Sequence, residues 1–281
     1  MVYSAAYLTS LAHQLLWFGL VVAVVALAER RWPAGPPPDL RDRGRNFLLV
    51  LVVALSLAAV SAALKFIPDA VVTRGLVGTV LGGWHPAGLW AFVLATAVYA
   101  FVWDFFQYWA HRAQHVVPAL WPAHALHHDD DRMNATTALR NTLWSGVLGL
   151  LLVQVPTLVV CGVNLLTIYG AYVLFATWGF INHANVRVSF GPLTPVISGP
   201  QLHRVHHGRS PEYYDCNFAA FFPLWDVVFR TYRAPAPDEF PATGLPDRAP
   251  RPLGARQLVC DTLGLPRRET AEQPAPVPAG D

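Results

Sequence analysis

The sequence predicts an all-α fold: a multi-span helical membrane protein with a histidine-rich helical cap on the cytoplasmic side. Three observations predict it. Of 281 residues, 54% are apolar and only 14% charged, a smaller charged share than an ordinary soluble domain carries. Five apolar runs approach or reach the length of about 20 helical residues that crosses a bilayer. Nine of the eleven histidines fall in the segments that flank the last three runs, eight of them at helical spacing.

The runs cover residues 7–28, 47–63, 89–106, 143–163 and 165–180. The first has no basic segment or small-residue cleavage site before it, so it reads as a retained anchor and not as a cleaved signal. The fourth and fifth are separated by a tight turn near Gly162 and Asn164 and read as a helical hairpin over 143–181, with Pro156 placed to kink its first arm. Residues 71–83 are apolar but broken by glycines and Arg74, which fits an interfacial or re-entrant segment; the placement of 66–87 stays open. Region 1–106 is thus read as transmembrane, 107–232 as the histidine-rich catalytic region, and 233–281 as a proline-rich tail too poor in apolar residues to offset its ordering entropy.

Arginine placement orients the chain. Arg30, Arg31, Arg41, Arg43 and Arg45 put the first connection inside, and threading onward puts Arg112, Arg132, Arg140 and the region after His183 inside as well. A net charge of +2, with arginines dispersed instead of forming a stripe, argues against nucleic acid as a partner. The cysteines Cys161, Cys216 and Cys260 are isolated and odd in number, which predicts neither a disulfide framework nor a zinc ribbon.

The histidines form an HxxxH (His111, His115), an HxxHH (His124, His127, His128), a single His183, and a second HxxHH (His203, His206, His207). Residues three and four apart on a helix share a face, so each spacing aims imidazoles at one point. Imidazole suits iron, zinc, copper or nickel. Nine convergent ligands are too many for one ion and about right for two. One HxxxH alone is more often a solvated surface feature; four groups at one membrane face are not. His13 and His85 take the bland reading of packing or solvent contact.

The carboxylate-rich ExxH pattern of soluble di-iron bundles and the HExxH of zinc proteases are both absent. Asp104, two turns before His111, is placed to hold a ligand's second nitrogen, although pairing with Arg112 explains it as well. Asn185, with Asn182, Asp215, Asn217 and Asp226, is a further candidate for such support; turn formation or capping accounts for each equally. Tyr108, Trp109, Trp121 and Trp178 read as interfacial or packing aromatics.

From about Asp104 to Tyr232 the sequence resembles the fatty acid hydroxylase and sterol desaturase superfamily of membrane di-iron oxygenases. The resemblance lies in AspPhePheGlnTyrTrpAlaHisArgAlaGlnHis, TrpProAlaHisAlaLeuHisHis, AsnHisAlaAsn around His183, HisArgValHisHis, and LeuTrpAspValValPheArgThrTyr. It implies that all nine motif histidines bind two iron ions, with zinc an alternative occupant on isolation. It further implies O2-dependent hydroxylation or desaturation of a C–H bond in a lipid-like substrate. Electrons would come from a separate donor of ferredoxin or cytochrome b5 type with its reductase. The alternatives are a membrane metal-binding or transport protein and a zinc-dependent, non-redox lipid enzyme.

Overall fold

The computed structural model describes residues 2–49, 75–76, 88–162, 165–246, 260 and 263. Most of the expected second run and nearly all of 66–87 lie outside the described residues. Among those described, every regular element is helical, and extended pairing is limited to the isolated bridges Pro33 with Val186 and Gly208 with Thr243.

Helix α1 (Val2–Arg31) covers the first expected run and ends on Arg30 and Arg31, cations that suit a helix C-terminus. After it, α2 (Leu40–Leu48) starts at Asp39, whose carboxylate accepts from the Asp42 amide while Asp42 accepts from that of Asp39. Helix α3 (Leu89–Val116) runs unbroken for 28 residues, about 42 Å at 1.5 Å per residue. That exceeds a hydrocarbon core of about 30 Å, so one helix can carry both the apolar run and, on its last turns, His111 and His115. Pro118 stops it by forcing Val117 into extended geometry.

Helix α4 (Trp121–His128) has Pro122 in its first turn, where a missing N–H costs nothing. A 3-10 turn (Ala135–Leu139), capped by Asn134, leads to the segment expected as a hairpin. Its first arm is α5 (Leu143–Gly149), a π-helical turn (Leu150–Gln154) and α6 (Val155–Cys161). Where a kink at Pro156 was expected, the helix carries this π-helical turn. The proline ring opposes the carbonyl four residues back, and the chain widens so that the Val155 amide bonds the Leu150 carbonyl five residues back. The second arm is α7 (Leu165–Asn182), followed by α8 (Pro200–His206) and α9 (Leu224–Val228).

Helix α3 packs on α7 and on the first hairpin arm, and α1 packs on α7 and the 3-10 turn, with Val22, Ala135 and Phe180 at that junction. Among the described residues, two helices, Leu89–Val116 and Leu143–Cys161, are long and apolar enough to cross a membrane. Helix α1 also leaves an apolar stripe of Leu16, Leu20, Val24 and Leu27 exposed, which a helix facing water rarely does.

The tail departs from expectation at its start. Residues 233–246 are held to the body: the Gln201 side-chain amide donates to the carbonyls of Ala236, Pro237 and Glu239, Arg204 to that of Pro241, and Thr243 to that of Asp130. Composition missed this because the segment is fixed by its backbone carbonyls and not by apolar burial. Residues 247–259 and most of those beyond lie outside the described residues.

Candidate metal centre

The structure brings all nine motif histidines together in two groups. His111, His115, His124, His128 and His206 form one; His127, His183, His203 and His207 form the other; within each, the ligand nitrogens lie within 4.8 Å of one another. The two HxxHH motifs divide reciprocally. The first gives its i, i+4 pair, His124 and His128, to the five-histidine group and His127 to the other. The second gives His203 and His207 to the four-histidine group and His206 to the five. On a helix, i and i+4 face one way and i+3 is offset by tens of degrees, so one short helix can serve two adjacent centres.

Ring orientation is set by backbone carbonyls. The Nδ1 of His111 lies 2.7 Å from the Phe218 carbonyl, that of His183 2.7 Å from Gly179, and that of His206 2.8 Å from Cys216. A carbonyl can only accept, so Nδ1 carries the proton and Nε2 presents its lone pair inward. Nε2 atoms then meet in pairs: His111 with His124 at 2.9 Å, His128 with His124 at 3.1 Å, and His183 with His127 and His203 at 3.0 Å each. Two nitrogens at right angles on one ion, with bonds of about 2.1 Å, lie about 3.0 Å apart.

The buried Nε2 atoms of His115, His206 and His207 have no hydrogen-bond partner. Such atoms are costly to leave unmatched, and a metal ion would satisfy them. Burial, followed by the neighbouring imidazoles, pushes the pKa of His124, His128, His203 and His207 well below the usual histidine range. Burial takes His183 down to about 4. The rings are therefore held neutral, the form that binds metal. The donor set fits a transition metal that accepts imidazole, iron included.

The expected direct bonds from Asp104 and Asn185 to a histidine are not made. Asp104 is fully buried and accepts instead from the backbone amides of Ala220, Phe221 and Phe222 at 3.1, 3.1 and 2.8 Å. Nor does it pair with Arg112, whose guanidinium donates to the Tyr108 hydroxyl. Asn185 accepts from the Gly35 amide and donates to the carbonyls of Gly35 and Pro36, fixing the connection after α1 beside His183.

Asn182 donates to the Ala220 carbonyl, and Asn217 exchanges bonds with the backbone of Arg233. Asp215 places an oxygen 3.9 Å from His115 Nδ1. Trp121 packs on His115 and His128 with centroids 5.3 and 5.7 Å away, a closer association with the histidines than interfacial packing required.

Sequence reasoning missed Glu29, buried near the end of α1, which accepts from the amides of Ala135 and Asn185 and pairs with Arg43. It also missed the use of Arg140, which donates to the carbonyls of Leu126 and Asp129 and faces Asp130 at 3.4 Å. A lone carboxylate closing an apolar run was the available signal for Glu29. His13 is exposed on α1, and His85 lies outside the described residues.

Residues 96–231 match the fatty acid hydroxylase family. The chain is 32% identical to an alkylglycerol monooxygenase of Caenorhabditis elegans over 162 residues, 58% of this chain and 30% of that protein. It is 33% identical to the human alkylglycerol monooxygenase over 138 residues, 47% and 29% of the two chains. It is 29% identical to an ornithine lipid hydroxylase of Rhizobium tropici over 232 residues, 79% and 68%. The match thus spans under a third of those two alkylglycerol monooxygenases. No solved structure matches the chain. The matched segment carries every motif histidine and reads as a fatty acid hydroxylase domain.

Proposed function

We propose that this chain is a membrane-bound di-iron oxygenase that hydroxylates, or desaturates, an unactivated C–H bond in a hydrocarbon chain of a polar lipid, using O2 and external electrons. The observation that carries the reading is the division of nine histidines, eight buried and His115 half-buried, into adjacent groups of five and four, with unpartnered Nε2 atoms in each. Relatives named for alkylglycerol and ornithine lipid support a lipid substrate.

Iron bound in these groups supplies what no side chain can: activation of O2 with two external electrons and two protons, so that C–H becomes C–OH and the second oxygen atom leaves as water. The chain's own part is positional. The carbonyls of Phe218, Gly179 and Cys216 hold three rings in the metal-binding tautomer, and burial keeps imidazoles neutral and water away. The apolar helices α3 and α5 to α6 support a bilayer location. The arginine distribution supports an active site facing the cytoplasm, where a lipid chain enters laterally and a donor of ferredoxin or cytochrome b5 type docks from solution.

Metal analysis of protein purified in detergent from iron-supplied cells, followed by reduction and oxygen exposure with a lipid extract, tests this. About two irons per chain and an O2-dependent lipid mass gain of one oxygen, or loss of two hydrogens, are expected. Zinc alone, with iron unable to load, would sink the oxygenase and favour a non-redox lipid enzyme or a metal-binding membrane protein.

A further inference from the structure

The loop from Cys216 to Phe222 is strung between two buried carboxylates. Asp226, on α9, accepts from the amides of Phe218 and Ala219 at 2.7 and 2.9 Å; Asp104, on α3, accepts from Ala220, Phe221 and Phe222. Five consecutive amides therefore end on side chains, not in a helix or strand ladder. Asn217, in the left-handed region at φ 58°, turns the chain into this arrangement. Asp226 is itself held by the Thr231 hydroxyl at 2.7 Å. Thr231 contacts the Tyr108 hydroxyl at 2.9 Å, and Arg112 donates to that hydroxyl.

With its amides tied, the loop offers carbonyls to the histidines. Phe218 and Cys216 hold the Nδ1 atoms of His111 and His206. The fully buried Phe218 ring packs against His111, His115 and His206, with centroids 5.7, 5.2 and 5.8 Å away. All three belong to the five-histidine group. The four-histidine group is oriented differently: His183 bonds Gly179, one turn back in its own chain segment. Among the described residues, no hydrogen bond or ring contact joins that group's imidazoles to the loop.

From this asymmetry we propose that Asp104 and Asp226 are positioning residues that act, through the 216–222 loop, on the metal of the five-histidine group, whose rings the loop bonds directly, whereas the loop's hydrogen bond towards the other group runs through Asn182, the neighbour of His183. The proposal rests on the reading of both groups as metal centres. A carboxylate is required because each oxygen accepts from at least one amide, and an Asn amide would turn an NH2 toward an N–H. Outer-shell partners of this kind are worth about 10–100-fold in metal affinity.

The test is iron titration of full-length Asp226→Asn and Asp104→Asn, with metal per chain by mass spectrometry, Mössbauer spectra, and helix content as a folding control. One iron is expected to bind as in the parent and the other about 10–100-fold more weakly. Adding His124→Ala to Asp226→Asn should remove no further tightly bound metal, whereas adding His203→Ala should empty the protein. Thr231→Val, which deletes the hydroxyl that donates to Asp226 and contacts the Tyr108 hydroxyl while leaving both carboxylates in place, keeps the question open to measurement where an Asn variant does not fold. It should weaken the same iron to a smaller degree. Two irons at parental affinity in the folded Asn variants, or equal loss of both, overturns the proposal. A parent protein that binds no metal pair overturns the functional reading itself.

Discussion

His128 and His207, the last histidines of the two HxxHH motifs, lie stacked with centroids 4.2 Å apart and planes 17° apart, yet they belong to different groups. The stack is the shortest ring contact between the two groups. His128→Ala and His207→Ala should therefore each reduce bound iron from about two to about one per chain, at different sites, and abolish lipid oxidation. Distinct residual Mössbauer spectra from the two variants would bear this out; identical spectra would not.

Acid should release the metals. For His183, lowered by burial to about 4 from an unfolded value of about 6.5, the unfolded chain binds more protons between those values, so stability rises with pH there. The favourable contribution is intact above about pH 6.5 and is lost as pH falls towards 4. Metal competes with the same protons, which adds to the effect. Iron retention after dialysis at pH 7.5, 6.5, 5.5 and 4.5 should fall steeply over the last two steps, together with thermal stability. Flat retention across that range would contradict neutral, metal-binding imidazoles.

Glu29 is buried and ties three elements, with contacts of 2.5 Å to Arg43, 2.7 Å to the Ala135 amide and 3.0 Å to the Asn185 amide. Replacement by Ala leaves a half-buried guanidinium and two amides without their acceptor. The expected cost is about 3 kcal/mol, read as a lower unfolding midpoint in detergent. Iron content should remain near two per folded chain, because no histidine bonds Glu29.

The segment 233–244 should behave as part of the body. Truncation after Pro246 is expected to leave iron content and melting unchanged, whereas truncation after Tyr232 removes the carbonyls that Gln201 and Arg204 bond and the Thr243 hydroxyl on Asp130. Gln201→Ala should have an intermediate effect. Metal per chain and thermal midpoint for the three variants decide the matter; equal behaviour of the two truncations would count against it.

Helical character, the apolar runs along α3, α5 to α6 and α7, and the identity of the nine histidines were legible in the sequence because they depend on local periodicity and side-chain type. So was a number of motif histidines large enough to fill two groups, since that is a count. The sequence did not say which histidine joins which group: that depends on how α3, α4 and α8 meet, and the reciprocal split of the HxxHH motifs emerges only when they do. Nor did it reveal the carbonyls that orient His111, His183 and His206, because every residue has a carbonyl and side-chain identity does not mark the one in use. Asp104 shows the division most clearly. Its place on the His111 face of α3 was visible from spacing, but its partners are backbone amides more than a hundred residues away. Local spacing placed the histidines, and tertiary packing, through contacts no periodicity encodes, sorted them into two groups and fixed how they point.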